Sequence, residues 1–101
     1  MATNLKAITS RLGYQQITDL SGATFLTVPV KNLSGLAGGP SIALITPEAQ
    51  AVRWRDDGVA PTSTVGMPLA VGVTLQYDGD LTQIRFIEQA GGAILNISYY
   101  A

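Results

Sequence analysis

One short segment, Val52–Gly58, carries the chain's only tryptophan together with two arginines and two aspartates. If this segment is a β-strand, Arg53 and Arg55 project from one face about 6 to 7 Å apart, and Trp54 projects from the other. Guanidinium groups spaced in this way can bind a partner's carboxylates bidentately. Two interpretations stay open: Trp54 is a core anchor or a contact residue, and the arginines bind a partner or pair with acids of the same chain.

Two acidic pairs are the other candidates for chemistry. Asp56 with Asp57, and Asp78 with Asp80, could act as paired carboxylates or supply oxygens to Ca²⁺ if their loops met in space. Neither pair has the spacing of an EF-hand loop. Aspartate next to glycine is typical of tight turns, because aspartate bonds its own backbone and glycine accepts positive φ. We therefore predict turns at both pairs and no bound metal.

The residue types that the chain lacks argue against catalysis. It contains no histidine and no cysteine, which supply most general bases near neutral pH, most thiolate nucleophiles and most transition-metal ligands. Serine and threonine are common, but neither Lys6 nor Lys31 stands in a recognisable Ser-Lys pattern. The glycine-rich segment 32–40 lacks the Lys-Ser/Thr of a phosphate-binding loop. The sequence predicts a protein that is not an enzyme, with no cofactor and no small-molecule substrate.

These side chains have to be positioned by short strands separated by turn residues. Val73, Leu75 and Tyr77 alternate with polar residues, which predicts a half-buried strand. After the turn Asp78-Gly79-Asp80, the segment Gln83–Glu88 is predicted to return as the second strand of a hairpin, with Phe86 inward. Tyr77, Phe86 and Trp54 are the predicted structural core. Further strands are predicted at 14–17, 25–30, 41–46, 51–55 and 93–100. About seven strands at this spacing predict an all-β fold, a single small antiparallel sandwich or barrel of the jelly-roll type.

Length and charge limit the organisation and the partners. The 101 residues fit one β domain, 1–101, with residues 1–12 as an extended N-terminal arm or first strand. Only 13% of the residues are charged and the formal net charge is -1, so we expect no binding to nucleic acid or to a membrane. No signal-peptide core is visible, which predicts synthesis in the cytoplasm. Sparse charge without disulfides favours burial against partner subunits.

The second half of the chain resembles a family of known proteins. The order Arg53-Trp54-Arg55-Asp56-Asp57-Gly58, then Ala60-Pro61-Thr62, Val65-Gly66-Met67, Gly79-Asp80-Leu81, Ile84-Arg85-Phe86-Ile87 and finally Ala93–Tyr100 is similar to small structural proteins of tailed bacteriophages, of the head decoration or cement type. The resemblance covers Val52–Tyr100, and its most specific part is the run from Arg53 to Thr62.

This resemblance implies a virion protein that binds the outer surface of the capsid as a homotrimer and stabilises the head, with the major capsid protein as its partner. Multivalent attachment would make weak individual contacts strong together. The expected partner-binding residues are Arg53, Arg55, Asp56, Asp57 and Tyr100. Two alternatives stay open. One is a tail or head-tail connector component, and the other is a carbohydrate-binding module in which Trp54 stacks on a sugar ring.

Overall fold

The computed structural model describes residues 11–29 and 40–101, and within these ranges every regular element is a strand. The eight strands are β1 (Arg11–Ile17), β2 (Thr24–Phe25), β3 (Ile42–Glu48), β4 (Val52–Arg55), β5 (Met67–Leu69), β6 (Leu75–Tyr77), β7 (Arg85–Glu88) and β8 (Ile94–Tyr100). The all-β prediction is confirmed. The described residues include no helix that could cross a membrane.

The strands form two four-stranded antiparallel sheets, with the orders β1-β8-β3-β6 and β2-β7-β4-β5. The first strand pairs with the last, the second with the seventh, the third with the sixth and the fourth with the fifth. A chain folded back on itself at its midpoint and then rolled into two sheets produces this order, which is the topology of a jelly roll. The predicted sandwich of the jelly-roll type therefore describes the molecule.

The core lies between the two sheets and follows from the period of two along the long strands. In β3 and β8, alternate residues are buried, and those between them are half-buried or exposed. Both central strands thus give one face to the core and one to the outside. The largest side chains with almost no exposure are Tyr99, Phe86, Leu20, Ile45, Ile84, Leu95 and Ile97. Burying such side chains is the main favourable contribution to folding.

The predicted hairpin between Val73–Asp78 and Gln83–Glu88 is wrong. β6 pairs with β3 in one sheet, whereas β7 pairs with β2 and β4 in the other. The turn that follows Tyr77 therefore crosses between the sheets. Alternation shows which face of a strand is buried, but it does not distinguish a neighbour in sequence from a distant strand that offers the same apolar face.

Two other differences concern the edges of the second sheet. β5 was not predicted, because Pro68 cannot donate to a sheet ladder and normally argues against a central strand. It is an edge strand, where proline is tolerated and blocks pairing with another chain. The strand predicted at 25–30 is limited to Thr24–Phe25 in the described residues. Most of the predicted arm and of the glycine-rich segment 32–40 lies outside the described residues.

Candidate interaction surfaces

The outward side of the sheet β2-β7-β4-β5 gathers three arginines, and we call it the arginine face. It consists of Arg53 and Arg55 on β4, Arg85 and Ile87 on β7, and Phe25 on β2. In the strand register Trp54 lies opposite Phe86, which is completely buried, whereas Arg55 lies opposite Arg85. The structure therefore places both arginines of β4 outside and Trp54 on the side of the core, because neighbouring residues of a strand point to opposite faces.

Arg55 is neutralised within the chain. Its Nε donates to Oδ1 of Asp57 at 3.0 Å and its Nη2 donates to Oδ2 at 2.5 Å, which is a bidentate ion pair. The hydrogen bonds from Arg55 hold the pKa of Asp57 below its usual range, and Asp57 raises the pKa of Arg55. The pair is solvent-accessible, so it adds little to stability. Its role is to fix the direction of the guanidinium group.

Arg53 supports the connection between β4 and β5. Its Nε donates to the carbonyl oxygen of Ser63 at 3.2 Å, and its Nη1 donates to that of Gly66 at 2.9 Å. A Cβ at Gly66 would meet the carbonyl oxygen of Trp54 at 3.1 Å and Cβ of Arg53 at 3.2 Å, and φ is +141°. Glycine is required at this close approach, because only its bare backbone fits against β4 at this φ. Arg53 thus has a structural task that the sequence did not reveal.

Arg85 has no carboxylate partner among the described residues. Its guanidinium carbon lies 4.8 Å from the centroid of the Phe25 ring, within the range of a cation–π contact. Its Nε is buried and has no hydrogen-bond partner in the described part of the chain. Phe25 is 46% exposed although it is a large apolar side chain. Within the described part of the chain, the charge of Arg85 has no carboxylate partner and the ring of Phe25 is only partly covered. These two residues are therefore the part of the arginine face that is most open to a partner.

Trp54 is half-buried and lines an open groove. Its ring packs against the core and contacts Tyr77 edge to face, with centroids 5.9 Å apart and an interplanar angle of 66°. The groove has a volume of about 220 Å³ and is lined by Trp54, Arg55, Asp56, Asp57, Val65, Gly66 and Met67. Its lining is mainly apolar and includes both members of the Arg55–Asp57 ion pair. Trp54 therefore takes part in both the core and the surface.

The two aspartate pairs come near each other without converging. The hydroxyl of Tyr77 donates to Oδ2 of Asp56 at 2.7 Å, which links the end of β4 to the end of β6 in the other sheet. Asp57 faces Arg55, and Asp80 accepts from the backbone N–H and hydroxyl of Thr82 at 3.0 and 2.6 Å. Those bonds lower the pKa of Asp80. No group of three or more acidic side chains is placed to hold a metal ion within residues 11–29 and 40–101.

The outward side of the other sheet, β1-β8-β3-β6, contains few charges, and we call it the low-charge face. Among its described side chains Glu48 is the one that carries a charge, and Arg11 of β1 lies opposite Tyr100 in the register. The others are amide, hydroxyl or apolar: Tyr14, Gln16, Ile42, Leu44, Thr46, Gln76, Ile94, Asn96, Ser98 and Tyr100. Asn96 is at the centre of a polar network, because Oδ1 accepts from the Tyr14 hydroxyl at 2.6 Å and Nδ2 donates to Glu48 at 3.0 Å.

The structure brings only part of the predicted partner-binding set together. Arg55, Asp56 and Asp57 meet at the groove, and Arg53 lies beside them on β4. Tyr100 does not join them. It lies on the low-charge face, half-buried, and accepts a hydrogen bond from Ser98 at 3.0 Å. Tyr100 therefore lies on a different surface from the other four predicted residues.

The sequence did not identify Phe25 or Arg85 as candidates for an interaction surface. The signal available for Phe25 was weak, since an isolated aromatic residue in a short strand is more often buried than exposed. The pairing of β2 and β4 with β7 brings Phe25 and Arg55 against Arg85 from both sides. This arrangement depends on long-range pairing that local patterns do not encode.

The two buried tyrosines predict alkaline unfolding. Burial, and secondly the bond to Asp56, raise the pKa of Tyr77 to about 12, and burial raises the pKa of Tyr99 to about 12. In the unfolded chain tyrosine titrates near pH 10. The stability that these protonated phenols contribute is thus complete below about pH 10 and is lost as pH rises towards 12. We expect phenolate absorbance from Tyr77 and Tyr99 to appear together with unfolding. Ionisation of Tyr77 and Tyr99 near pH 10 with the fold retained would contradict this.

Comparison with known proteins adds no relative: no protein-family model, no curated protein and no solved structure matches this chain. The functional conclusion therefore depends on the fold and on the two outward faces described above.

Proposed function

We propose that this chain is a non-enzymatic virion protein that binds the outer surface of a tailed-phage head as a homotrimer and stabilises the head, with the major capsid protein as its partner. The attachment surface in this proposal is the arginine face. The observation that carries it is the grouping of Arg53, Arg55 and Arg85 on one side of one sheet, opposed by a single aspartate. Carboxylates on the coat protein would complete this surface.

Arg55 and Arg85 face each other and only Arg55 is offset by a described carboxylate, which supports a role outside the chain. Arg55 and Arg85 are directly opposite on paired strands, where side chains approach to about 5 Å and like charges are destabilising. Only Arg55 has a carboxylate partner within the described residues. Positions at which a sequence departs from favourable local pairing are expected at functional sites. Anionic groups of a partner would reverse this cost.

The architecture supports a scaffold better than a catalyst. The jelly roll occurs in viral capsid proteins and in lectins. Three of the seven acids accept hydrogen bonds within local turns: Asp19 from Ser21, Asp80 from Thr82, and Glu88 from the backbone N–H of Gly92. A rigid sandwich with a charged outer face can bridge coat subunits, and many modest contacts across a lattice add up through multivalency.

The direct test is co-sedimentation with phage heads from which the protein has been removed. We expect the purified chain to pellet with these heads in saturable amounts, and less so at high salt, because exposed charge contacts are screened. Absence of saturable pelleting at low salt would contradict capsid binding. A stoichiometry of six or twelve copies at one vertex, instead of three at each threefold position, would favour a connector component.

The groove at Trp54 favours carbohydrate binding as the second candidate function. An aromatic side chain in an open groove that an ion pair also lines offers both a stacking surface and groups that can bond sugar hydroxyls. Trp54 is the only tryptophan, so its fluorescence should change when soluble glycans from the host surface occupy the groove. A Trp54 emission unaffected by millimolar glycan, together with binding to heads, would leave capsid attachment as the function.

A further inference from the structure

We infer that Asp57 is an internal competitor for the acidic group that the arginine face binds, so that a carboxylate of the partner replaces Asp57 on Arg55 and also contacts Arg85. This inference rests on the proposed attachment through the arginine face. It names the ligand chemistry of that surface as the side-chain carboxylate of an aspartate or glutamate. Asp57 is then a group that the partner displaces, and not a group that the partner contacts.

The Arg55–Asp57 pair shows which ligand this part of the surface accepts. Nε and Nη2 of Arg55 donate to the two oxygens of one carboxylate, at 3.0 and 2.5 Å. This is the planar geometry of two parallel hydrogen bonds in which a guanidinium group binds a carboxylate. Asp57 thus occupies the place of the expected ligand, and an aspartate or glutamate of a partner can make the same two bonds.

The pair is weak enough to exchange with an external ligand. Both side chains reach solvent, Arg55 with 27% and Asp57 with 54% exposure, and exposed ion pairs contribute little because water and salt compete with them. Asp57 follows the end of β4 and lies outside the strands. Its further contact, from the backbone N–H of Val59, is long at 3.4 Å. Asp57 can therefore turn away without breaking the pairing of a strand.

Arg85 gives an external carboxylate an advantage over Asp57. It lies opposite Arg55 on paired strands, and its guanidinium group packs on the ring of Phe25 at 4.8 Å. Among the described residues, Asp57 forms an ion pair with Arg55 and none with Arg85, and Nε of Arg85 is buried without an acceptor. A donor left without a partner is costly, so an acceptor supplied from outside is favoured here. A carboxylate that contacts both arginines offsets two charges where Asp57 offsets one.

The test measures the affinity of the full chain for a fluorescent penta-glutamate peptide by fluorescence anisotropy. Asp57→Asn should lower the dissociation constant about 3- to 5-fold, because the competing exposed ion pair is lost. Asp56→Asn is the matched control, since it removes the same charge one position away. The carboxylate of Asp56 accepts from the hydroxyl of Tyr77 and pairs with no arginine among the described residues. Its effect should be less than about 2-fold at physiological salt, where separated charges are screened.

A second pair of variants tests Arg85. Arg85→Gln should raise the dissociation constant of the peptide about 10-fold or more, because a hydrogen bond between charged groups is lost. Arg11→Gln removes the same charge from β1 in the other sheet, and screening should keep its effect below about 2-fold. Circular dichroism verifies the fold of each variant.

Nuclear magnetic resonance of the wild-type chain keeps the inference testable if a variant fails to fold. The chain has four arginines, so their Nε–H signals can be resolved individually. Addition of the peptide should shift the signals of Arg55 and Arg85 and leave that of Arg11 unchanged. An unshifted Arg55 signal at saturating peptide, or an Asp57→Asn chain that binds the peptide no better than Asp56→Asn, would overturn the inference.

These measurements need no phage heads, so the inference and the proposed function can fail separately. Saturable pelleting of the wild-type chain with heads, together with a peptide affinity that Asp57→Asn does not improve, would retain capsid binding and reject the exchange of Asp57. Absence of pelleting, together with tighter peptide binding by Asp57→Asn, would retain the carboxylate site and reject the capsid as its partner.

Discussion

Arg55→Glu combined with Arg85→Glu should weaken binding to stripped phage heads by about 100-fold or more while the sandwich stays folded, since opposed like charges cost several kcal/mol at an interface. Arg85 is the better partner for this test than Arg53, because the guanidinium of Arg53 holds the carbonyl oxygens of Ser63 and Gly66. Reversing the charge at Arg53 would disturb the connection between β4 and β5 as well as the arginine face. Co-sedimentation at several salt concentrations measures the effect.

Two pairs of control substitutions distinguish a loss of charge contacts with the head from a loss of structure. Arg55→Ala with Arg85→Ala removes attraction without adding repulsion, so its loss of binding should be smaller and should depend less on salt. Gln50→Glu with Ala90→Glu places two negative charges at exposed positions in the connections at the other end of the sandwich and should bind almost normally. Full occupancy of heads by the double arginine-to-glutamate protein would contradict attachment through the arginine face.

Phe86→Ala should destabilise the chain by about 3 to 5 kcal/mol, the range for truncating a large buried aromatic side chain. Phe86 is completely buried and lies opposite Trp54 in the register of β4 and β7. A loss of this size is a large part of the total stability of a domain, which is about 5 to 15 kcal/mol. Denaturant unfolding followed by Trp54 fluorescence measures the change in the free energy of unfolding.

The other phenylalanine of the chain is the matched control. Phe25 is 46% exposed and contacts Arg85, so Phe25→Ala should cost about 1 kcal/mol or less, the value of an exposed cation–π contact. Equal losses for the two variants would mean that Phe86 does not lie between the sheets. Phe25→Ala should also weaken head binding without altering the oligomer, because it removes the ring that supports the Arg85 guanidinium.

The fold class could be predicted because apolar residues that become buried alternate with outward residues along the long strands. β3 and β8 each show a strict change between buried and outward residues, and turn-forming residues separate the strands. The pairing of β6 with β3 and of β7 with β4 could not be predicted, because each strand offers the same apolar face to any neighbour. The hairpin prediction failed for this reason, since it assigned adjacent segments to each other.

The sequence predicted which side of a strand single residues occupy. It did not predict which residues from different strands share a surface. Alternation alone placed Arg53 and Arg55 opposite Trp54. It did not show that Arg55 would bind Asp57 in a bidentate pair, that Arg53 would hold a loop, or that Arg85 would lie across from Arg55. The Arg55–Asp57 pair is local, with its members two positions apart in sequence, whereas the position of Arg85 across from Arg55 depends on pairing between strands far apart in sequence.

The most direct measurement is a cryo-EM map of the particles whose genome encodes this chain. We expect density for the sandwich on the outer surface of the head, three copies at each threefold position, with the arginine face against acidic side chains of the coat protein. Density for this chain in the tail or at the connector vertex, or its absence from the particle, would contradict the account.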